Sequence, residues 1–230
     1  MYLVKTPVFI QSLFPTFSWR VPTEEKVIYL TFDDGPIPEV TPWVLEQLEK
    51  YNAKATFFCV GANVEKNHET FKQVINAGHN VGNHTYSHMN GWESDNIEYF
   101  HNVRRCARLV NSSMFRPPYG RISPGQTQFL SRHYDIVMWD VLSGDFDKDI
   151  SPEDCLLNVV NNARPGSIVV FHDSIKAQEN LYYTLPRTLE YFATQGYTFK
   201  ALNVEMLRAK NNSLIPSIHS SNPEMELSIA

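Results

Sequence analysis

Asp33 and Asp34 are adjacent carboxylates between an apolar run and the dipeptide Gly35-Pro36. Carboxylates this close repel, and a bound cation is a common way to keep both ionised. Downstream, His84 and His88 lie four residues apart. On a helical turn that spacing brings both imidazoles to one face, where they can ligate one metal ion. One Asp and two His make a three-ligand site with positions left for water and substrate, the pattern of a catalytic rather than a structural zinc centre. Each feature has a plainer reading, since Asp and Gly-Pro favour turns and paired histidines are often solvated or core. Asn83-His84-Thr85 also matches a glycosylation acceptor. A glycan there would obstruct the metal site, and that reading is set aside.

More polar residues follow other apolar runs. Arg116-Pro117-Pro118-Tyr119-Gly120 follows one, the segment from Trp139 to Phe146 another, and His172-Asp173 a third, the very apolar Ile168-Val169-Val170-Phe171. Singly these read as a proline-stiffened turn, a strand end with a polar loop and a structural histidine. Jointly they place carboxylates, imidazoles and a guanidinium at the same end of successive strands. The patterning predicts strands at 27–32, 56–60, 80–83, 114–116, 136–139, 167–171 and 198–201. It predicts helices at 41–51, 68–77, 96–111, 125–133, 152–163 and 185–195. Thr41-Pro42 and Ser151-Pro152 read as N-caps followed by Pro, while Gly78 and Gly196 stand where helices end. Seven strands alternating with helices imply an α/β protein with a largely parallel sheet, open or closed into a barrel. In either form ligands sit at the C-terminal ends of the strands.

Composition bounds the remaining choices. The 230 residues suit one domain, and 43% hydrophobic with 20% charged residues is ordinary globular composition. A net charge of −5 argues against a nucleic-acid partner, and no apolar run reaches the ~18 residues of a membrane span. Aromatic residues at 13% suit stacking ligands such as carbohydrate, though composition alone favours the plainer reading of a rich core. Cys59, Cys106 and Cys155 are odd in number and far apart, so reduced structural thiols are expected. The first residues lack the continuous apolar stretch of a signal peptide, which makes a cytoplasmic location the default expectation, with export if a leader has been lost. The chain divides into an N-terminal extension (1–26), the main domain (27–207) and a polar, loosely held tail (208–230).

In order along the chain, five segments resemble the motifs of the polysaccharide deacetylases with a NodB homology domain, carbohydrate esterase family 4. Thr31–Pro36 reads TFDDGP, His84 to His88 fits H-[ST]-x-x-H, and Arg116 to Gly120 fits R-P-P-[YF]-G. The segment from Trp139 to Phe146 is similar to the family's Trp and Asp-Trp stretch, with Phe146 where Trp is common. Val170-Phe171-His172 is similar to Leu-x-His, with Val170 replacing Leu. The resemblance implies a distorted, incomplete (β/α)7 barrel. It also implies metal-dependent removal of acetyl groups from N-acetylglucosamine-containing glycans such as peptidoglycan or chitin-type oligomers. Asp34, His84 and His88 would hold one divalent metal, with Zn2+ the first choice and Co2+ or Ni2+ also compatible. Asp33 would be the base, oriented by Arg116, itself held by Asp145. The backbone N–H of Tyr119 would help bind the oxyanion, and His172 would be the general acid. Trp139, Phe146 and Val170 would line the acetyl pocket or groove. Other outcomes on this fold are an O-acetyl esterase, a deacylase of small or lipid-linked amides, and a non-catalytic carbohydrate binder.

Overall fold

The computed structural model describes residues 2–213. Side-chain alternation sets the architecture. In the first strand, β1 (Val27–Asp34), Ile28, Leu30 and Phe32 join one apolar cluster while Val27 and Tyr29 join another. The first cluster lies under the helices. The second gathers residues from several strands and fills the interior of a curled sheet.

The sheet continues through β2 (Thr56–Cys59), β3 (Asn80–Asn83), β4 (Met114–Phe115), β5 (Asp135–Ile136), β6 (Val141–Leu142), β7 (Ile168–His172) and β8 (Thr198–Phe199). Its order is β5-β4-β3-β2-β1-β7-β6, with β8 paired to the start of β1. Every pairing is parallel. The result is the expected incomplete barrel, because β5 and β6 form the two ends of the path and do not pair. The strand expected at 136–139 breaks after Ile136, and the chain resumes as the unanticipated β6.

The N-terminal extension straps this gap. Ser18 exchanges backbone hydrogen bonds with Ile136 and Met138, at 2.9 and 2.8 Å, while the Thr6 and Leu142 N–H groups donate to Asp140 O and Val4 O. Lys5 reaches the fully buried Asp140 at 2.7 Å. Residues 4–18 therefore satisfy edge groups that an open barrel would leave unpaired.

Nine α-helices occur among the described residues: α1 (Val8–Leu13), α2 (Thr41–Lys50), α3 (Gly61–Lys66), α4 (His68–Asn76), α5 (Asn96–Ala107), α6 (Pro124–Leu130), α7 (Pro152–Val160), α8 (Gln178–Thr194) and α9 (Val204–Ser213). Ser151 caps α7 as expected, accepting from Asp154 N at 3.0 Å. Thr41 is the first residue of α2 rather than its cap, because its hydroxyl is engaged with Ile37 N and Asp173. Helix α8 begins seven residues before the expected start and carries Pro186 inside it; the buried face of Leu181, Leu185, Leu189 and Phe192 offsets the lost backbone bond. Arg208, expected in a loose tail, lies in α9 with Nε 3.1 Å from Asp135. The rest of that tail, residues 214–230, lies outside the described residues. The three cysteines are free and buried, as expected.

Gly82 of β3 lies against the interior-facing ring of Phe58, leaving no room for a Cβ. Phe58 in turn supports Arg116, whose guanidinium carbon is 4.1 Å from its ring centroid. Gly82→Ala should cost about 1–3 kcal/mol by overpacking, read as a lower urea midpoint with an unchanged slope.

Candidate metal and catalytic site

The strand period places the first carboxylate. Thr31 and Asp33 leave β1 on the interior face, opposite Phe32. Asp34 would then point away, but its backbone turns to φ 85° and breaks the alternation. Both carboxylates thus meet at the C-terminal mouth of the barrel. The turn is held by side chains with no obvious sequence signature. Asn63 Nδ2 donates to Asp34 O at 2.7 Å, and Asn67 Nδ2 donates to Pro36 O at 3.0 Å. The buried Asp173 accepts from Gly35 N at 3.0 Å and from Thr41 Oγ1 at 2.6 Å. A Cβ on Gly35 would collide with that carboxylate, which accounts for glycine here. Burial pushes the Asp173 pKa up to about 8.

The two histidines come together by a different route from the one expected. Residues 84–88 form a loop after β3, not a helical turn, with Thr85 and His88 in the left-handed region at φ 62° and 55°. Asn83 Oδ1 accepts from Thr85 N, and Asn102 Oδ1 accepts from Tyr86 N and Ser87 N. Asn83 is fully buried, in line with rejecting it as a glycan acceptor. One ligand atom each from Asp34, His84 and His88 lies within 4.8 Å of the others. His88 Nε2 is 3.2 Å and His84 Nε2 3.9 Å from Asp34 Oδ1.

These residues fit a divalent metal on grounds besides spacing. Asp34 Oδ1 is buried without a hydrogen-bond partner, a costly state that a cation would relieve. His84 Nδ1 lies 2.8 Å from Arg116 O, which only accepts, so Nδ1 carries the proton and Nε2 keeps its lone pair for a ligand bond. Burial lowers the His84 pKa to about 4, so the ring is neutral. Burial alone would raise the Asp34 pKa, but nearby His88, His172 and His84 hold it well below the usual carboxylate range. His88 Nδ1 is 3.1 Å from the Tyr119 hydroxyl.

On one side of this triad stands a buried ion pair. Arg116 Nη1 lies 2.7 Å from both Asp33 Oδ1 and Thr31 Oγ1. Its Nε and Nη2 donate to the carbonyls of Val137 and Met138 at 3.1 and 3.0 Å. On the other side, His172 Nδ1 is 2.7 Å from Asp145 Oδ1, and its backbone N donates to Asp145 Oδ2 at 2.7 Å. This corrects the role expected of Asp145: the carboxylate that was to hold Arg116 holds His172, and the Arg116 donors are taken up by Asp33, Thr31 and two carbonyls. Burial works against the His172 imidazolium, but Asp145 and then Asp34 and Asp33 raise its pKa to about 9.

The residues expected to line the pocket spread around this centre. Val170 is buried on the same face of β7 as His172, two positions below it. Trp139 is half-buried with its ring 5.9 Å from the Arg116 guanidinium, and it leaves no room for a Cβ on Gly120. Phe146 packs edge-on to His172 at 5.1 Å and borders a cavity of about 420 Å³, also lined by Tyr2 and Lys176. Tyr119 has a left-handed backbone (φ 60°, ψ 7°), and its side chain is 60% exposed beside His88.

Comparison with known proteins identifies the family. Residues 20–134 match the polysaccharide deacetylase family. The chain is 34% identical over 201 residues to a peptidoglycan-N-acetylglucosamine deacetylase of Bacillus cereus, a match covering 84% of this chain and 94% of that one. The chain belongs to the polysaccharide deacetylase family. It is also 34% identical to a chitooligosaccharide deacetylase of Azorhizobium caulinodans, over 70% of this chain and 80% of that protein. It spans only 38% of the longer Listeria monocytogenes peptidoglycan deacetylases. Among solved structures, a peptidoglycan N-acetylglucosamine deacetylase bound to 4-naphthalen-1-yl-N-oxidanyl-benzamide superposes with a TM-score of 0.78 at 33% identity, covering 86% and 95% of the two chains. A family 4 pseudoenzyme of Bacillus anthracis superposes at 0.70 with 27% identity, covering 82% and 68%. The protein is thus a metal-dependent deacetylase by family, with an Asp-His-His cluster suited to a metal. No helix among the described residues is long and apolar enough to cross a membrane.

The His172–Asp145 pair has a pH signature. A histidine whose pKa is raised on folding contributes stability that is complete below about pH 6.5 and fades as pH rises through about 9. In metal-free protein, NMR titration should find His172 still protonated at neutral pH. Asp145→Asn removes the leading stabiliser of the imidazolium and should drop that pKa by more than a unit, because burial then dominates.

Proposed function

We propose that the protein removes the acetyl group from N-acetylglucosamine residues of a glycan such as peptidoglycan or a chitin-type oligomer, using one divalent metal held by Asp34, His84 and His88. The reading is carried by the arrangement of a buried Asp33–Arg116 pair and an Asp145–His172 pair on either side of the metal triad. The fold alone would not carry it, since a pseudoenzyme shares that fold.

A divalent cation held by these residues would polarise the acetyl carbonyl and the attacking water. Two imidazoles and one carboxylate suit Zn2+, with Co2+ or Ni2+ compatible by ligand type. Asp33 takes the proton from the water. Its Oδ1 is held by Arg116, while Oδ2, 4.0 Å from His84 Nε2, faces the ligand cluster. The Tyr119 N–H donates to the developing oxyanion. The amine must leave protonated, because an amide anion is a very poor leaving group. His172 delivers that proton from Nε2, since Asp145 engages Nδ1 and fixes the tautomer. Val170 offers the acetyl methyl an apolar surface below His172, Phe146 flanks that imidazole, and Trp139 closes the groove on the Arg116 side.

Asp33→Asn should retain metal, measured by elemental analysis, yet lose about 10²–10⁴-fold in acetate release, the usual worth of acid–base catalysis. Asp34→Asn should instead lose metal. Equal metal contents in the two variants would refute this division of labour.

His172→Ala should cut hydrolysis of N-acetylglucosamine oligomers by a similar ~10²–10⁴-fold while sparing most of the hydrolysis of an activated acetyl ester, whose leaving group departs without a proton. Equal losses on both would make His172 a binding residue.

A further inference from the structure

Next to the metal ligands stands an aromatic ridge whose side chains the chemistry above does not use. It begins at Tyr119, whose ring packs edge-on to His88 at 4.6 Å. The Arg121 guanidinium lies 5.8 Å from the Tyr119 ring and 5.4 Å from the ring of Trp92. Trp92 is 66% exposed, an unusual position for the largest apolar side chain. It is also fixed. Its indole N–H donates to Ile122 O at 3.1 Å, and its backbone N–H donates to Asn90 Oδ1 at 3.1 Å. The buried Gln126 donates to Gly91 O at 2.8 Å, locking the loop from below. A Cβ on Gly91 would lie 2.6 Å from both Arg121 O and Gln126 Oε1, so the Trp92 and Arg121 segments interlock through that glycine.

An exposed indole held rigid by its own N–H and by a buried amide gains nothing for the core. It is preorganised to receive a flat apolar face at small entropic cost. Arg121 pairs with Glu93 at 3.3 Å, so the ridge carries no net charge and offers both donors and acceptors. That combination suits a neutral pyranose, which presents a C–H face to the ring and hydroxyls to its rim.

We propose that Trp92, backed by Arg121 and Glu93, is a sugar-stacking subsite for a residue of the glycan flanking the one whose acetyl group is removed, and that it sets a preference for longer chains. This rests on the glycan reading above. Contacts made equally in the ground and transition states change KM rather than kcat, and Trp92 connects to the His88 imidazole only by way of Arg121 and Tyr119 among the contacts described.

The test uses the metal-loaded full chain and N-acetylglucosamine oligomers of two to six sugars. Trp92→Ala should raise KM for the hexamer about tenfold, the scale of one aromatic stacking contact, with kcat unchanged and the dimer unaffected. Trp92→Phe should recover most of the loss. An unchanged hexamer KM, or the same loss on dimer and hexamer, overturns the subsite. Should the wild type release no acetate from any oligomer, the deacetylase reading fails on its own account. Calorimetric titration with the hexamer then decides the subsite separately: a Kd about tenfold weaker in Trp92→Ala supports it, and equal binding, or no binding by either protein, overturns it.

Discussion

A fully buried guanidinium is the constraint around which this molecule is arranged. Arg116 has no access to water, and an unpaired charge there would cost several kcal/mol or more. The fold meets that demand with one carboxylate, one hydroxyl, two carbonyls and an aromatic face. The carbonyls of Val137 and Met138 are free to accept because the chain leaves the sheet after Ile136. A closed barrel would have spent them on a neighbouring strand. The gap between β5 and β6 is therefore part of how Asp33 comes to be held, and the N-terminal strap is what makes such a gap tolerable. Fold irregularity and the orientation of Asp33 have one cause here.

The Asp-His-His cluster is assembled at the expense of local backbone comfort. Asp34, Thr85, His88 and Tyr119 are four of the five non-glycine residues with positive φ among the described residues, and all four sit at the site. Such conformations cost of order 1–3 kcal/mol each and persist only where the surroundings over-determine them. Asn63, Asn67, Asn102 and Asp173 provide that over-determination by engaging backbone groups of the two loops. The buried Asp34 oxygen without a partner belongs to the same pattern, since a bound cation converts its cost into ligand bonding.

Charge is distributed so that the two sides of the triad differ. Asp33 faces a permanent cation, whereas Asp145 faces an imidazole that it helps to keep protonated. In the proposed reaction the Asp33 carboxylate would accept a proton and the histidine would donate one. The base and acid proposed above thus differ in their electrostatic partners as well as in residue type.

What the sequence determined by itself was the set of chemical groups and their place at strand ends. Asp33, Asp34, Arg116 and His172 were legible because each follows an apolar run, and His84 and His88 because they lie four residues apart after a short strand; sheet polarity then delivers them to one mouth. Family resemblance sharpened the roles. Three things were decided only in three dimensions. Asp145 pairs with His172 and not Arg116, because partner choice depends on which strand ends adjoin, and spacing along the chain does not encode that. The histidine pair meets on a left-handed loop, because Asn83 and Asn102 offer the backbone better hydrogen bonds there than a helical turn would. The N-terminal segment joins the barrel seam, and β6 replaces half of an expected strand, because unpaired edge groups must be satisfied wherever the sheet fails to close. Local patterns fix what a residue can do; long-range hydrogen-bond satisfaction fixes which partner it does it with.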